Sequence, residues 1–342
     1  MNFEEIDFFY GGNKLSQESD LIEFTCYSAK EQDHIRSEKV MIEGQIYHKF
    51  KSSMDKKSIK DILDKMGIER LSQEMAREIF KERKFKIPEI MGIMNITPDS
   101  FYEGSRFVSE ESMKKFLQSN AQIFDIGAES TRPGSLEIPP EEEIERLEKV
   151  FPIMDAKRKY NISLDSRHYD TIEHFSDKVG ILNDISGMSD IRIPELARKY
   201  DKKYVLMHIK GNPSNMSSLA IYSDLLGELS KFFITKLKTL SEIGLNHKNI
   251  IIDPGIGFAK VGEQNMEIIR NAEAFNFGIP RLFGYSRKSF LSMERKKPPK
   301  DKLPETISTS IFLAMKGVEI LRLHDPDENF NALRTFQKFL NP

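Results

Sequence analysis

Cysteine is almost absent from the 342-residue chain: Cys26 stands alone, which excludes an internal disulfide and a thiolate metal cage. Charge of one sign is lacking too. Lys and Arg number 51 and Asp and Glu 53, for a formal net charge of −2, so no global basic field draws the chain to nucleic acid. No apolar run reaches transmembrane length, and Met1 to Tyr10 carries acids where a signal peptide carries bases. Internal repeats and low-complexity tracts are missing, as is a GxxxxGK[ST] phosphate loop. His34 and His48 have no metal-ligand spacing and read as surface histidines. What remains, 39% apolar and 30% charged, is the make-up of a soluble globular protein, expected in the cytoplasm, with room for one large α/β domain and a smaller piece.

The pattern changes near residue 86. Before it, Asp20 to Ser28 and Lys39 to Phe50 read as strands. Ile59, Ile62, Leu63 and Met66 mark one helical stripe, and Leu71, Met75 and Ile79 another. The lysines and glutamates between them read as solvated faces. Residues 1–86 are therefore expected to be a small α+β extension, with no chemical motif and no role assigned.

From Ile87, short apolar strands alternate with amphipathic helices. The strands are Glu89 to Ile96, Ala121 to Ile126, Asn161 to Leu164, Val179 to Leu182, Tyr204 to Met207, Asn249 to Ile252, Pro280 to Phe283 and Val318 to Leu321. Helices are expected from Glu110 to Asn120, from Pro140 with three glutamates in its first turn, from Ser218 to Ile243, from Glu305 to Met315, and around Leu333, Phe336 and Leu340. Eight βα units imply parallel strands and right-handed crossovers. A TIM (β/α)8 barrel over residues 87–342 puts every polar strand end on one face. A doubly wound open sheet is the alternative, but it rarely gathers all its strand ends round one cavity.

Those strand ends sort by chemistry. Asp125 to Gly134 holds acids, hydroxyls, a guanidinium and a Pro-Gly turn, which makes it either a solvated connection or a binding loop. Asp165, Asn183 and Asp253 are each, singly, good helix N-caps. Together with Lys288 they offer acceptors plus a donor, suited to a flat heterocycle with an N–C–N amidine edge. Asn95, Arg322 and His324 come from strands one and eight, neighbours in a closed barrel. Their amide, guanidinium and imidazole suit a phosphate or pyrophosphate, although alone Arg322 reads as a surface ion pair and His324 as a core histidine. Ser286-Arg287-Lys288 either anchors an anion or forms a solvated turn. Met207, beside His208, either packs the core or lies against a planar ligand.

On these residues, Met91 to Asp325 resembles the dihydropteroate synthase family of the folate pathway. The matching stretches are Met91 to Phe101, Asp125 to Gly134, Asn183-Asp184-Ile185, Met207-His208, Asp253 to Phe258, Ser286-Arg287-Lys288 and Arg322 to Asp325, in the family's order. The resemblance implies a transferase, target of sulfonamides, in which para-aminobenzoate displaces pyrophosphate from 6-hydroxymethyl-7,8-dihydropterin pyrophosphate to give 7,8-dihydropteroate. It implies that Asp165, Asn183, Asp253 and Lys288 hold the pterin. Asn95, Arg322 and His324 hold pyrophosphate with Mg²⁺, Asn95 being the metal-side residue. Thr131, Arg132, Pro133, Phe258 and Ser286 form the para-aminobenzoate side, and Met207 also lines the substrate pocket. The loop bearing Thr97, Asp99 and Glu103, and that bearing Thr131 to Pro133, are expected to close over the substrates.

The partners implied are these small molecules, with no nucleic acid or membrane, and a second copy of the chain as a homodimer. One departure is Tyr102-Glu103-Gly104, where the family has Ser-Asp-Gly after the phenylalanine. Pro326 and Glu305-Thr306 also differ and read as packing variation. Two other readings compete. A pterin-binding methyltransferase barrel would share the acidic set but has no use for the Ser130 to Gly134 loop. A non-catalytic pterin-binding homologue has no use for Asn95, Arg322 and His324.

Overall fold

The computed structural model describes residues 5–11, 20–32, 35–82, 84–96, 110–130, 135, 137–154, 162–292 and 298–340. Thr97, Asp99, Glu103, Thr131, Arg132 and Pro133 lie outside the described residues. The extension forms an antiparallel sheet of β1 (Phe8–Tyr10), β2 (Ile22–Ser28), β3 (Glu38–Ile42) and β4 (Gln45–Met54), in the order β1-β2-β4-β3. Two helices follow, α1 (Lys56–Lys65) and α2 (Glu69–Ile79). The stretch Lys39 to Phe50, expected as one strand, is a hairpin. Glu43 and Gly44 both take left-handed φ, 50° and 80°, as a two-residue turn requires, and Gly44 adopts it without steric cost. β1 was not anticipated, because three residues are too few to show an alternation.

Eight parallel strands make the second sheet: β5 (Glu89–Asn95), β6 (Ile123–Gly127), β7 (Ile162–Asp165), β8 (Ile181–Asp184), β9 (Lys203–Met207), β10 (Ile250–Asp253), β11 (Leu282–Phe283) and β12 (Ile320–Leu323). Their order is β10-β9-β8-β7-β6-β5-β12-β11. The Ile252–Arg281 bridge joins β10 to the residue before β11 and closes the barrel, with the Ile252 N–H donating to the Pro280 carbonyl at 3.0 Å. Around it lie α3 (Glu110–Leu117), α4 (Pro140–Glu148), α5 (Tyr169–Phe175), α6 (Arg192–Lys199), α7 (Leu225–Ile243), α8 (Glu263–Arg270), α9 (Leu303–Met315) and α10 (Pro326–Leu340). This is the expected TIM barrel. α7 starts later than Ser218 because Asp224 caps it, accepting the Gly227 N–H at 3.2 Å. None of the described helices is long and apolar enough to cross a membrane.

Strand period decides what reaches the barrel axis. Met91, Ile123, Ile181, Val205, Ile251, Leu282 and Ile320, one from each of seven strands, form a separate apolar cluster. The next residue on several of these strands, Phe124, Leu182, Leu206 and Leu321 among them, packs in the outer core under the helices. One further step returns to the interior, and there the chemistry changes: Asp125 follows Ile123, Asn183 follows Ile181, Met207 follows Val205, Asp253 follows Ile251 and Arg322 follows Ile320. An apolar layer thus supports a polar one nearer the C-terminal mouth.

The extension shares the barrel's outer core. Phe9 is fully buried, with its ring edge-on to Phe24 at 5.5 Å and to Phe277 at 6.4 Å. The Ser230 hydroxyl on α7 donates to the Phe9 carbonyl. Phe9→Ala is expected to cost about 3–5 kcal/mol through lost burial and a cavity spanning the junction. A urea titration by circular dichroism measures it. A loss below about 1 kcal/mol would mean that the two parts do not depend on each other.

Candidate active site

Arg322 is the centre of the polar layer. Its Nε donates to Asp125 at 2.6 Å, and its terminal nitrogen donates to Asp165. The Asn183 amide nitrogen donates to Asp125, 3.2 and 3.3 Å from its two carboxylate oxygens. A carboxylate can only accept, so the Asn183 amide is oriented with its Oδ1 away from Asp125. Burial pushes the Asp165 carboxyl upward while the Arg322 guanidinium pulls it back, and the two carboxylates raise Arg322 further above its already high value. The second Asp165 oxygen, Oδ1, is buried and has no partner, the state of an acceptor built for a ligand N–H. Gly127 makes this geometry possible: a Cβ there would lie 3.1 Å from both the Cβ and the carbonyl oxygen of Asp165.

The loop after β10 supplies the other side. Asp253 accepts the Gly255 N–H at 2.7 Å through Oδ1. Burial raises its carboxyl to about 6, against the pull of that N–H and of Lys288. Gly255 has φ 69°, and a Cβ would sit 2.0 Å from the His208 carbonyl oxygen, so only glycine fits. The Lys288 ammonium donates to the Ile256 carbonyl and lies 4.7 Å from the centre of the Phe258 ring. Burial lowers it to about 8, countered by Asp253. Ile185, Met207 and Phe258 add an apolar wall. With the side chains as they lie, about 10 Å³ stays open between them. A ring-sized ligand must therefore displace Lys288 or Arg322 and take over their hydrogen bonds.

The rim holds the remaining sequence candidates. Asn95 is exposed at the end of β5. The Ser286 hydroxyl accepts the His324 N–H at 3.2 Å and lies 3.1 Å from its Nδ1. With the hydroxyl hydrogen on Nδ1, the ring proton belongs on Nε2. Arg322, two residues before His324, is turned to the acidic floor, where it pairs with Asp125 and Asp165. Arg287, read as one of three anion anchors, is committed elsewhere: it holds Asp325 in a two-point ion pair at 2.7 and 2.5 Å.

Three elements escaped the sequence reading. Asp125 was taken only as the start of a loop. Its signal was an acid two residues after inward Ile123. Lys260 is buried, donating to the Phe258 carbonyl at 2.8 Å and lying 2.8 Å from His208 Nδ1. Burial depresses both Lys260 and His208 well below their ordinary values. Arg167 spans both ends of the loop after β6, meeting Glu129 at 2.8 Å and Glu137 at 3.1 Å. Apart from the Lys260 contact with Phe258, none of these pairings is local in sequence.

Behind Asp165, Glu143 is fully buried and accepts the Ser166 hydroxyl at 2.8 Å, while its Oε1 has no partner. Burial raises it from 4.5 to about 7. The folded state thus holds this proton over a range where the unfolded chain has released it, so the group's contribution to stability falls as pH rises from about 4.5 to about 7. Glu143→Gln is expected to flatten that slope and to stabilise the protein at pH 8 by about 1–3 kcal/mol, with little effect near pH 5. Denaturant titrations at the two pH values test it, and equal effects at both would show that Glu143 is not buried as a charge.

The model of the family described as "Pterin binding enzyme" matches residues 91–324. The bifunctional dihydropteroate synthase/dihydropteroate reductase of Helicobacter pylori is 34% identical over 282 residues, covering 79% of this chain and 73% of that protein. Dihydropteroate synthase of Escherichia coli is 34% identical over 261 residues, 74% of this chain and 92% of that one. The crystal structure of Yersinia pestis dihydropteroate synthase with a sulfonamide drug complex superposes with a TM-score of 0.68 at 30% identity, covering 76% of this chain and 97% of that chain.

Proposed function

The chain belongs to the dihydropteroate synthase family of pterin-binding enzymes, and on that premise we propose how its residues divide the work. The reaction is transfer of a pterin-methyl group: para-aminobenzoate displaces pyrophosphate from 6-hydroxymethyl-7,8-dihydropterin pyrophosphate, giving 7,8-dihydropteroate for folate synthesis. One observation carries the assignment of residues, namely the buried acceptor row. Asp165 Oδ1 is orphaned, Asn183 Oδ1 is turned away from Asp125, and Asp253 keeps Oδ2 after giving Oδ1 to Gly255. Three acceptors on neighbouring or facing strands suit the N–H-rich edge of an aminopterin ring, with Lys288 as the cationic donor opposite them. Met207 and Phe258 lie against the faces of the ligand.

Arg322 and His324 would meet the pyrophosphate, Arg322 by swinging from the acidic floor as the pterin enters. Thr131, Arg132, Pro133 and Ser286 take the para-aminobenzoate side, and Thr97, Asp99 and Glu103 belong to the covering loop. The described residues include no cluster of three His, Cys, Asp or Glu side chains able to hold a metal. An amide at the rim, Asn95, fits an ion that takes most of its ligands from water and the substrate's phosphates, as Mg²⁺ does. Mg²⁺ held there would neutralise charge on the leaving group. The aniline nitrogen is already a nucleophile, so the protein's task is positioning and charge stabilisation. We also expect the chain to work as a homodimer in the cytoplasm.

Two predictions follow from the charges. Asp253 must be ionised and Lys288 protonated, so kcat/KM is expected to fall below about pH 6 and above about pH 8. Asp253→Asn should lower turnover by roughly 10- to 100-fold, the worth of one charged hydrogen bond, and should remove the Asp253 share of the acid limb. A pH profile of pyrophosphate release decides this, and a fully active Asp253→Asn variant sinks the role of Asp253.

His324→Ala should weaken binding of the pterin pyrophosphate far more than that of bare 6-hydroxymethylpterin, measured by calorimetry. Equal losses would place the imidazole away from the phosphates.

A further inference from the structure

A cavity larger than the one at this site lies elsewhere among the described residues. It lies at the opposite end of the barrel, beneath the N-terminal ends of the strands, and encloses about 380 Å³. Its floor is apolar: Ile251 and Ile320 belong to the barrel's inner cluster, with Pro280 and Val318 beside them. Its other wall comes from the extension, where the chain leaves the C-terminal end of α2 and crosses to β5 through Ile87 and Pro88.

The rim is rich in lysine. Lys84 and Lys86 come from the crossing segment, and Lys203 and Lys248 from the barrel. Among the described residues none of the four makes an ion pair or a side-chain hydrogen bond, whereas Lys81, also on the rim, is paired with Glu78. Of the acids there, Glu319 is held by Arg281 and Glu78 by Lys81 and Arg77. Only Glu82 and Glu89 stand uncommitted against the four lysines, so the rim is net positive. Cations gathered with no partner repel one another, and a bound anion relieves that repulsion.

We infer that this cavity is a second binding site, built jointly by the extension and the barrel base, for a small organic dianion with an apolar body, such as an aryl phosphate or aryl dicarboxylate. The volume suits a ring-sized body and excludes a polymer. The floor takes the apolar part, and the lysines from both sides take the charge. A ligand there touches both parts of the chain at once, which gives the crossing segment a function beyond connection.

Phenyl phosphate is the probe, titrated calorimetrically into the full chain at low salt, with inorganic phosphate and phenol as controls. Phenyl phosphate should bind at least about 10-fold more tightly than either control, since it alone uses both floor and rim. Lys203→Gln/Lys248→Gln and, separately, Lys84→Gln/Lys86→Gln should each weaken it by about 10-fold or more. All these lysines are exposed, so neither pair of changes should disturb folding or the rate of pyrophosphate release. Unchanged affinity in both variants would place the probe elsewhere, including the catalytic mouth. Loss in the barrel pair alone would overturn the joint site. Failure of phenyl phosphate to outbind inorganic phosphate, or to bind at all, would overturn the proposal.

Discussion

A single guanidinium, that of Arg322, makes the barrel's polar layer tolerable. Asp125 and Asp165 sit on the neighbouring strands β6 and β7, both buried, and burying two carboxylates unpaired is prohibitive. Arg322 pairs with both, and the Asn183 amide donates to Asp125. Asp253 brings a third carboxylate and Lys288 a second cation. Burial pushes the Asp165 and Asp253 carboxyls up and the Lys288 ammonium down, each pulled back by the opposite charges around it. Carboxylates desolvated in this way gain from any ligand that brings N–H donors or positive charge to them.

That electrostatic design depends on rigid backbone. The loop after β10 carries Asp253 and Phe258, and it is tied to the loop after β9 by Lys260, which reaches the carbonyls of Phe258 at 2.8 Å and of His208 at 3.3 Å. A lysine used in this way works as a donor that ties two turns together. It holds the acid and the aromatic wall in register, while Gly255 allows the close approach. At the opposite side, Arg167 gathers Glu129 and Glu137 at the base of the loop after β6. Strand ends set the floor, and side-chain ties between loops set the walls.

The floor was legible in the sequence for a physical reason. Short apolar runs recur eight times, several of them ending in Asp or Asn, and the two-residue period of a strand then fixes which side chains share the axis. Asp165, Asn183 and Asp253 follow from that pattern, whereas Arg322 was grouped with Asn95 and His324 and not with the acids it pairs with. Asp125 follows from it too, two positions after Ile123, but it was hidden by the polar loop that starts beside it. The walls were not legible. Arg287 with Asp325, Lys260 with His208 and Arg167 with Glu129 join residues on separate loops, and no local periodicity encodes such meetings. The hairpin at Glu43-Gly44 was missed because a Glu-Gly turn is a weaker signal than Asn-Gly. α7 was placed too early because polar Ser218 resembles a cap as well as Asp224 does.

The extension completes the argument for a shared fold. α7 buries Leu225, Leu229, Phe233, Leu237 and Leu240, more than a barrel helix with one solvated face needs to hide. β1 and α2 cover it, so the extension occupies the side that solvent would otherwise meet. The contact is polar where the helix begins: Asp224, the α7 cap, also accepts the Tyr27 hydroxyl and the Lys49 ammonium, both at 2.8 Å. One carboxylate thus satisfies the helix end and docks the sheet. Its charge is matched by Lys49 and by the positive end of the helix dipole, so it can be nearly buried without an unpaired cost. The chain has therefore moved part of its barrel's surface energetics into the first 86 residues. The segment that returns from there to β5 must pass beneath the barrel, and its lysines come to stand beside those of the base for that topological reason.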